Sequence, residues 1–275
     1  MKKILIIFEK NKKVGNGHYV RSKRLHNFLK LHYQSKIINN RDFNKIGYLN
    51  YNILIFDLSN YRSSLIKNLK KKISQKIITF ENFDNNFADL NISIFEHNIN
   101  LKDKKNRYTG LKYYFVDNLQ IKKRKKYSKI FVSIGSSLNT NKVNIIKKII
   151  KNNQNFNFIL APNFKNKIKQ KKLKNLTICK QKNYFKSLQR SYSCITNAGN
   201  SLLEAIYFNK PCFVLPQTEK ETIFAKYLMK KKLIVDINNF NKIKNNLLVN
   251  NIKKNTLNKI DDKGSIRFLK LLKNL

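Results

Sequence analysis

Short apolar runs recur along this chain of 275 residues, each closed by polar or glycine punctuation and followed by a stretch whose apolar positions have helical spacing. Such runs read as strands buried on both faces. Strands of that kind alternating with helices commit a chain to parallel sheets with helical layers. The first series has strands at 4–8, 53–56, 77–80 and 92–95, with a helix over 19–31 carrying Val20, Leu25, Phe28, Leu29 and Leu31. A less regular stretch at 101–127, dense in Lys and Tyr, ends in the basic run 122–126. The rhythm then restarts. Strands are expected at 129–134, 156–160, 176–179, 193–196, 211–215 and 233–235, and helices near 141–150, 184–190, 201–208 and 221–230. The tail at 238–258 is rich in Asn and Lys but keeps Ile and Leu at helical spacing. The expected architecture is therefore α/β with two Rossmann-like parallel-sheet domains, 1–126 and 127–275, facing a central cleft. Ligands of such sheets lie outside the carboxyl ends of the strands.

The charge is extreme, with 58 basic and 15 acidic residues and a net +43. The lysines are spread along the whole chain among Asn and Ile, Trp is absent, and there are only seven Gly and three Pro. That is the signature of an AT-rich coding bias rather than of a polyanion groove. A nucleic-acid binder also needs aromatics interleaved with its lysines, whereas the 13 Tyr and 19 Phe fall mostly inside apolar runs. A nucleic-acid partner is not expected, although so positive a field draws in anionic ligands and does so less at high salt. The apolar run at 4–8 is too short for a signal or a span, and no segment approaches the ~18 apolar residues a spanning helix needs. No stable membrane insertion is expected; peripheral contact and the oligomeric state are left open. Cys179, Cys194 and Cys212 fit neither a metal motif nor a disulfide framework. They read as small core residues in a reducing, cytoplasmic setting.

Four of the seven glycines, Gly15, Gly17, Gly135 and Gly199, fall in three strand-to-helix loops. In Gly15-Asn16-Gly17-His18 the glycines permit positive φ and a close backbone approach to a ligand. The helix start adds unpaired N–H groups, and His18 can move a proton near neutrality. Arg21 and Arg24 follow about a turn apart and can neutralise phosphate. A tight turn with a surface histidine is the plainer alternative, and His26, His32 and His97 read as surface or structural. In Gly135-Ser136-Ser137 small hydroxyl residues at a helix start either donate to phosphate or act as an N-cap. In Asn197-Ala198-Gly199-Asn200-Ser201 a strand again meets a helix N-terminus able to hold a diphosphate. Glu204, one turn on, either accepts from ribose hydroxyls or complements the helix dipole. Gln217 and Glu221, after the strand at 211–215, can meet a sugar or phosphate, or cap the next helix. Asp57, ending the strand at 53–56, positions substrate or supports His18, or else caps a turn.

These loops, in this order, resemble the nucleotide-sugar enzymes of GT-B fold. The stretch from Cys194 through Asn197, Gly199 and Glu204 to Asn209-Lys210-Pro211 and Pro216-Gln217 is similar in pattern and spacing to the donor-binding segment of the lipid II-forming N-acetylglucosaminyltransferase family. The whole chain resembles more closely the UDP-2,4-diacetamido-2,4,6-trideoxy-β-L-altropyranose hydrolases of pseudaminic acid synthesis, a route to cell-surface polysaccharide. Gly15-x-Gly17-His18 with Arg21, Ile55-Phe56-Asp57, Gly110-x-x-Tyr113 and the Gly135 loop carry that likeness. The resemblance implies a UDP-sugar substrate, attack at the anomeric carbon by a water for which His18 is the base or which it orients, and inversion. It places the diphosphate on the turn at 197–201 and the ribose on Glu204. It implies no cofactor and no metal. Where that family has a Gly-Gly-Thr/Ser-Asp loop, this chain has Gly135-Ser136-Ser137-Leu138, without the acid; where an Arg commonly follows the Tyr113 segment, this chain has Asp117. Both departures bear on which sugar is bound. A transferase moving the sugar to a lipid or saccharide acceptor is the alternative, but residues 9–19 carry no apolar cluster for a lipid, which favours water.

Overall fold

The computed structural model describes residues 1–11, 16–59, 63–81, 87–95, 106–116, 129–135, 140–165, 167–168 and 175–275. The chain divides into two compact units, Met1–Asn118 with Asp261–Leu275, and Leu119–Ile260. Each is built on a six-stranded, wholly parallel sheet.

The first unit contains β1 (Lys3–Phe8), α1 (Gly17–Leu29), β2 (Gln34–Asn39), β3 (Ile53–Asp57), α2 (Ser63–Lys72), β4 (Lys76–Phe80), β5 (Leu90–Ser93) and β6 (Arg107–Thr109). Its strand order is β2-β1-β3-β4-β5-β6. The expected strands are present, and their Ile and Leu runs are buried on both faces. One face of the sheet packs Leu5, Ile7, Leu54, Phe56 and Ile77 against Ile66 and Leu69 of α2. Pattern reading finds neither β2 nor β6. β2 is an edge strand in which only Ile38 is buried, and β6 is short and half-exposed.

The second unit contains β7 (Lys129–Ser133), α3 (Thr140–Asn152), β8 (Asn157–Leu160), β9 (Leu176–Ile178), α4 (Tyr184–Gln189), β10 (Ser193–Thr196), α5 (Asn200–Tyr207), β11 (Cys212–Val214), α6 (Glu219–Lys230), β12 (Val235–Asp236) and α7 (Asn246–Thr256). Its order is β12-β11-β10-β7-β8-β9, the doubly wound order of dinucleotide-binding domains. Cys194 and Cys212 are register partners in β10 and β11, buried as expected, and Cys179 is half-buried. Burial pushes the Cys194 thiol up to about 12, which leaves it unreactive.

The domain assignment of the carboxyl end needs correction. The second domain was expected to run to 275, but α8 (Gly264–Lys273) belongs to the first unit. Phe268 packs on Phe80 and Phe115 at 5.7 and 5.6 Å, and Arg267 donates to the Lys112 carbonyl at 2.9 Å. A side chain at Gly264 would overlap the Tyr114 carbonyl oxygen. This docking joins segments far apart in sequence, which periodicity cannot register. Among the described residues no helix is long and apolar enough to cross a membrane.

Candidate active site

In the first sheet the strand order reverses between β1 and β3, the place where open α/β sheets bind ligands. α1 leaves the end of β1 and Asp57 closes β3. Asp57 shares a cross-sheet row with Phe8 and Phe80, so its carboxylate is fixed among rings and needs polar partners. His18 Nδ1 lies 2.5 Å from Asp57 Oδ1. Arg21, one turn on, forks onto the same group, Nε to Oδ2 at 2.9 Å and Nη2 to Oδ1 at 2.5 Å. Ser22 Oγ donates to Oδ2 at 3.1 Å. Burial pushes the Asp57 carboxyl up, but Arg21 and His18 overcome that and hold it well below the usual carboxylate range. Arg21 Nη1 also reaches Glu81 Oε1 at 3.1 Å, and its guanidinium lies 5.5 Å from the Phe80 ring centre. Next to this cluster Glu9 accepts from the Ser59 amide and hydroxyl at 3.0 and 2.5 Å and from Asn11 at 2.8 Å. Burial acts to raise the Glu9 carboxyl, but the Ser59 contacts and the nearby His18 bring it below its ordinary value. With Nδ1 turned to Asp57, the His18 ring presents Nε2 for proton transfer.

In the second sheet the order reverses between β7 and β10, and both strands end in the predicted loops. Gly135, with φ +73°, follows β7 in a left-handed conformation suited to glycine. Gly199 is extended instead (φ −121°) and its lack of a side chain serves close approach: a Cβ there would sit 2.8 Å from Asn197 Nδ2. Gly199 caps α5 without a side-chain hydrogen bond, and no acid occupies the first turn. An anion at this helix start meets N–H donors, with the Glu221 carboxylate beside the turn, its Oε1 3.5 Å from where a Gly199 Cβ would sit. Asn197 is 7% exposed; its Nδ2 donates to Glu221 Oε1 at 2.6 Å, while its Oδ1 is buried with no partner. Asn163, after β8, donates to the Gly135 carbonyl and also holds a buried Oδ1 without a partner. Beneath the turn, Tyr184 OH donates to Glu204 Oε2 at 3.0 Å and lies 3.1 and 3.2 Å from the hydroxyls of Ser133 and Ser201.

The structure thus brings His18, Asp57 and Arg21 together in one unit, and Gly135, Asn197, Ala198, Gly199, Asn200, Ser201, Glu204, Gln217 and Glu221 into neighbouring loops and helix starts of the other. Asn16 and Gly17 open α1. Gly15, Ser136, Ser137 and Asp117 lie outside the described residues. Several roles need correction. Arg21 and Arg24 are 3% and 8% exposed and are committed inward, Arg21 to Asp57 and Glu81 and Arg24 to Tyr114 OH at 2.6 Å, so neither is offered to phosphate. Tyr113 is buried, edge-on to Tyr108. Glu221 braces the loop from within, its Oε2 accepting the Gln217 amide at 2.7 Å, and the Gln217 side chain donates to the Ile134 carbonyl. Burial raises the Glu221 carboxyl from its ordinary value. Glu81, Tyr184 and Asn163 escape sequence reading; position at a strand end or helix start is their one signal. Among the described residues no cluster of three His, Cys, Asp or Glu groups is arranged to hold a metal.

No protein-family model matches the chain, and no curated protein matches it in sequence. Solved structures do. MurG of Acinetobacter baumannii superposes with a TM-score of 0.69 at 9% identity, over 100% of both chains. The spinosyn rhamnosyltransferase SpnG gives 0.70 at 9% identity, over 100% of both. UGT2 of Phytolacca americana, solved with UDP-2-fluoro-glucose and pterostilbene, gives 0.68 at 11% identity, over 100% of this chain and 99% of its own. The chain has the GT-B fold.

Proposed function

We propose that the protein cleaves the anomeric C–O bond of a UDP-linked deoxy-amino sugar with water, releasing UDP. The observation that carries the nucleotide half is the start of α5 at the β7/β10 reversal, which has no side-chain cap and no acid in its own first turn, beside a buried Asn197 oxygen with no partner. In this reading the N–H groups of Asn200 and Ser201 hold the diphosphate and take the charge that grows on it as the bond breaks. Glu204, oriented by Tyr184, holds the ribose. The His18–Asp57 pair supports the chemical half. His18 Nε2 removes a proton from water, the new C–O bond forms at the anomeric carbon, and the bond to the β-phosphate oxygen breaks with inversion. Asp57 fixes the ring through Nδ1 and stabilises the imidazolium.

A transferase using the same base on an acceptor hydroxyl is the second reading, and structures of this fold described as glycosyltransferases favour it. Nucleotide release from a panel of UDP- and other NDP-sugars, with no acceptor added, separates the two. Release of UDP from one deoxy-amino sugar in water alone is expected; tight UDP binding with no release would overturn hydrolysis in favour of transfer. Release undiminished in His18→Ala would remove His18 as the base.

A further inference from the structure

Behind His18 lies a buried series of charged side chains, Asp57, Arg21 and Glu81. An Arg21–Asp57 pair alone is close to neutral. Its fork would commit the Asp57 charge to the guanidinium and leave little for an imidazolium. Glu81 changes that balance by taking the outer edge of the guanidinium, Nη1, at 3.1 Å. With two carboxylates around one arginine, the series carries one net negative charge, which a protonated His18 completes.

The place of Glu81 is enforced. Its Oε1 and Oε2 accept the Ile94 and Phe95 amides at 2.9 and 3.3 Å, and its own amide donates to the Ile92 carbonyl at 2.9 Å. Burial raises the Glu81 carboxyl from its ordinary value, and every one of its carboxylate partners is a donor that opposes that rise and serves the ionised form. To make these bonds the residue adopts φ +54°, a left-handed backbone uncommon outside glycine, Asn and Asp. Strain held against a charged cluster points to function.

We infer that Glu81 is a positioning residue for His18: it aims and balances Arg21, so that the Asp57 carboxylate is left to hold the His18 ring and to take the charge the ring acquires with a proton. The inference rests on His18 as the base, but its first test needs no turnover. Among the described residues the charged groups facing His18 are Asp57 from β3, Arg21 from its own helix and Glu9 beyond β1, and those facing Glu81 are Arg21 and Asp57.

The experiment is a pH titration of the imidazole resonances by NMR in the full chain and in Glu81→Gln and Glu81→Gly. Glutamine keeps the size of the side chain, and glycine removes it at a φ that glycine favours, so the second variant folds even if the first does not. His18 is assigned by the signal lost in His18→Ala. In both variants His18 is expected to take up its proton at a pH lower than in the unaltered chain by ~0.5 unit or more, while His26 and His32 keep theirs. An unmoved His18, or one common shift of all the histidines, overturns the inference. With a substrate in hand, Glu81→Gln should lower kcat about tenfold or more with KM within about twofold; an unchanged kcat also overturns it. Turnover surviving in His18→Ala would remove the base assignment and leave the NMR result standing, so the two failures are distinguishable.

Discussion

His18 Nδ1 and Asp57 Oδ1 meet at 2.5 Å across the point where the strand order of the first sheet reverses. One residue opens the helix after β1 and the other closes β3, so the contact exists only because those strands are neighbours. Asp57→Asn keeps the shape but can offer an N–H where an acceptor is needed, which favours the other imidazole tautomer. We expect kcat for nucleotide release to fall by about 10²-fold or more with KM changed little. Steady-state kinetics on the released nucleotide checks this, and a proportional rise in KM with kcat intact would assign Asp57 to substrate binding instead.

The same carboxylate ties stability to pH. The Asp57 pKa is depressed in the folded protein, so its stabilising contribution is present above the unfolded value of about 3.9 and is lost as pH falls from there towards the folded value. Glu81 works in the opposite sense. Burial raises its folded pKa although Arg21 and two amides oppose the shift, so its contribution declines as pH rises from about 4.3 through the folded value. Urea unfolding across pH 3 to 7 should show an acid-side loss that is weaker in Asp57→Asn. That variant should be less stable near neutrality by about 3 kcal/mol, because Arg21 loses its forked partner.

Gly135 and Gly199 press on one side chain. A Cβ at either would meet Asn197 Nδ2, at 3.3 and 2.8 Å respectively, and Asn197 has little room while it donates to Glu221. Gly135→Ala also places a side chain at φ +73°. Each alanine should cost about 1–2 kcal/mol of stability and weaken UDP binding about tenfold. The double variant should fall short of the sum, since both act through Asn197. Calorimetric UDP affinities in the four proteins measure the coupling; strict additivity would show that Asn197 is not the shared element.

What could be read from sequence follows from what burial leaves in a local window. The cores of β1, β3 and β7 are unbroken apolar runs because both faces of a parallel sheet are covered, β4 and β10 keep shorter buried ones around Thr79 and between Ser193 and Thr196, and so the loops that close β1, β7 and β10 could be placed. β2 could not, since an edge strand with a single buried residue has no such run. α8 carries Ile266, Phe268, Leu271 and Leu272, but its partners Phe80 and Phe115 belong to the other end of the chain. The candidate residues were found as types in loops; their directions were not. Arg21 read as a phosphate ligand because its distance from Asp57 is short only in space. Glu81 was one acid after a strand, and nothing local shows that its backbone turns left-handed to bring its carboxylate to Arg21.

Tyr184 supplies a test of the ribose role of Glu204. Its hydroxyl donates to Glu204 Oε2 at 3.0 Å inside the second unit, where burial raises the phenol well above its ordinary value and the Glu204 charge raises it further. Tyr184→Phe removes one donor and should cost about 1 kcal/mol in urea unfolding. Binding is the sharper measurement. If Glu204 accepts from ribose hydroxyls, Glu204→Ala should weaken UDP about tenfold and leave 2′,3′-dideoxy-UDP nearly unaffected, because that ligand has no hydroxyl to lose. Tyr184→Phe, which frees the carboxylate without removing it, should follow the same pattern at smaller amplitude. Equal weakening of both ligands would make Glu204 a brace for the start of α5, held by Tyr184 for the sake of the diphosphate turn alone.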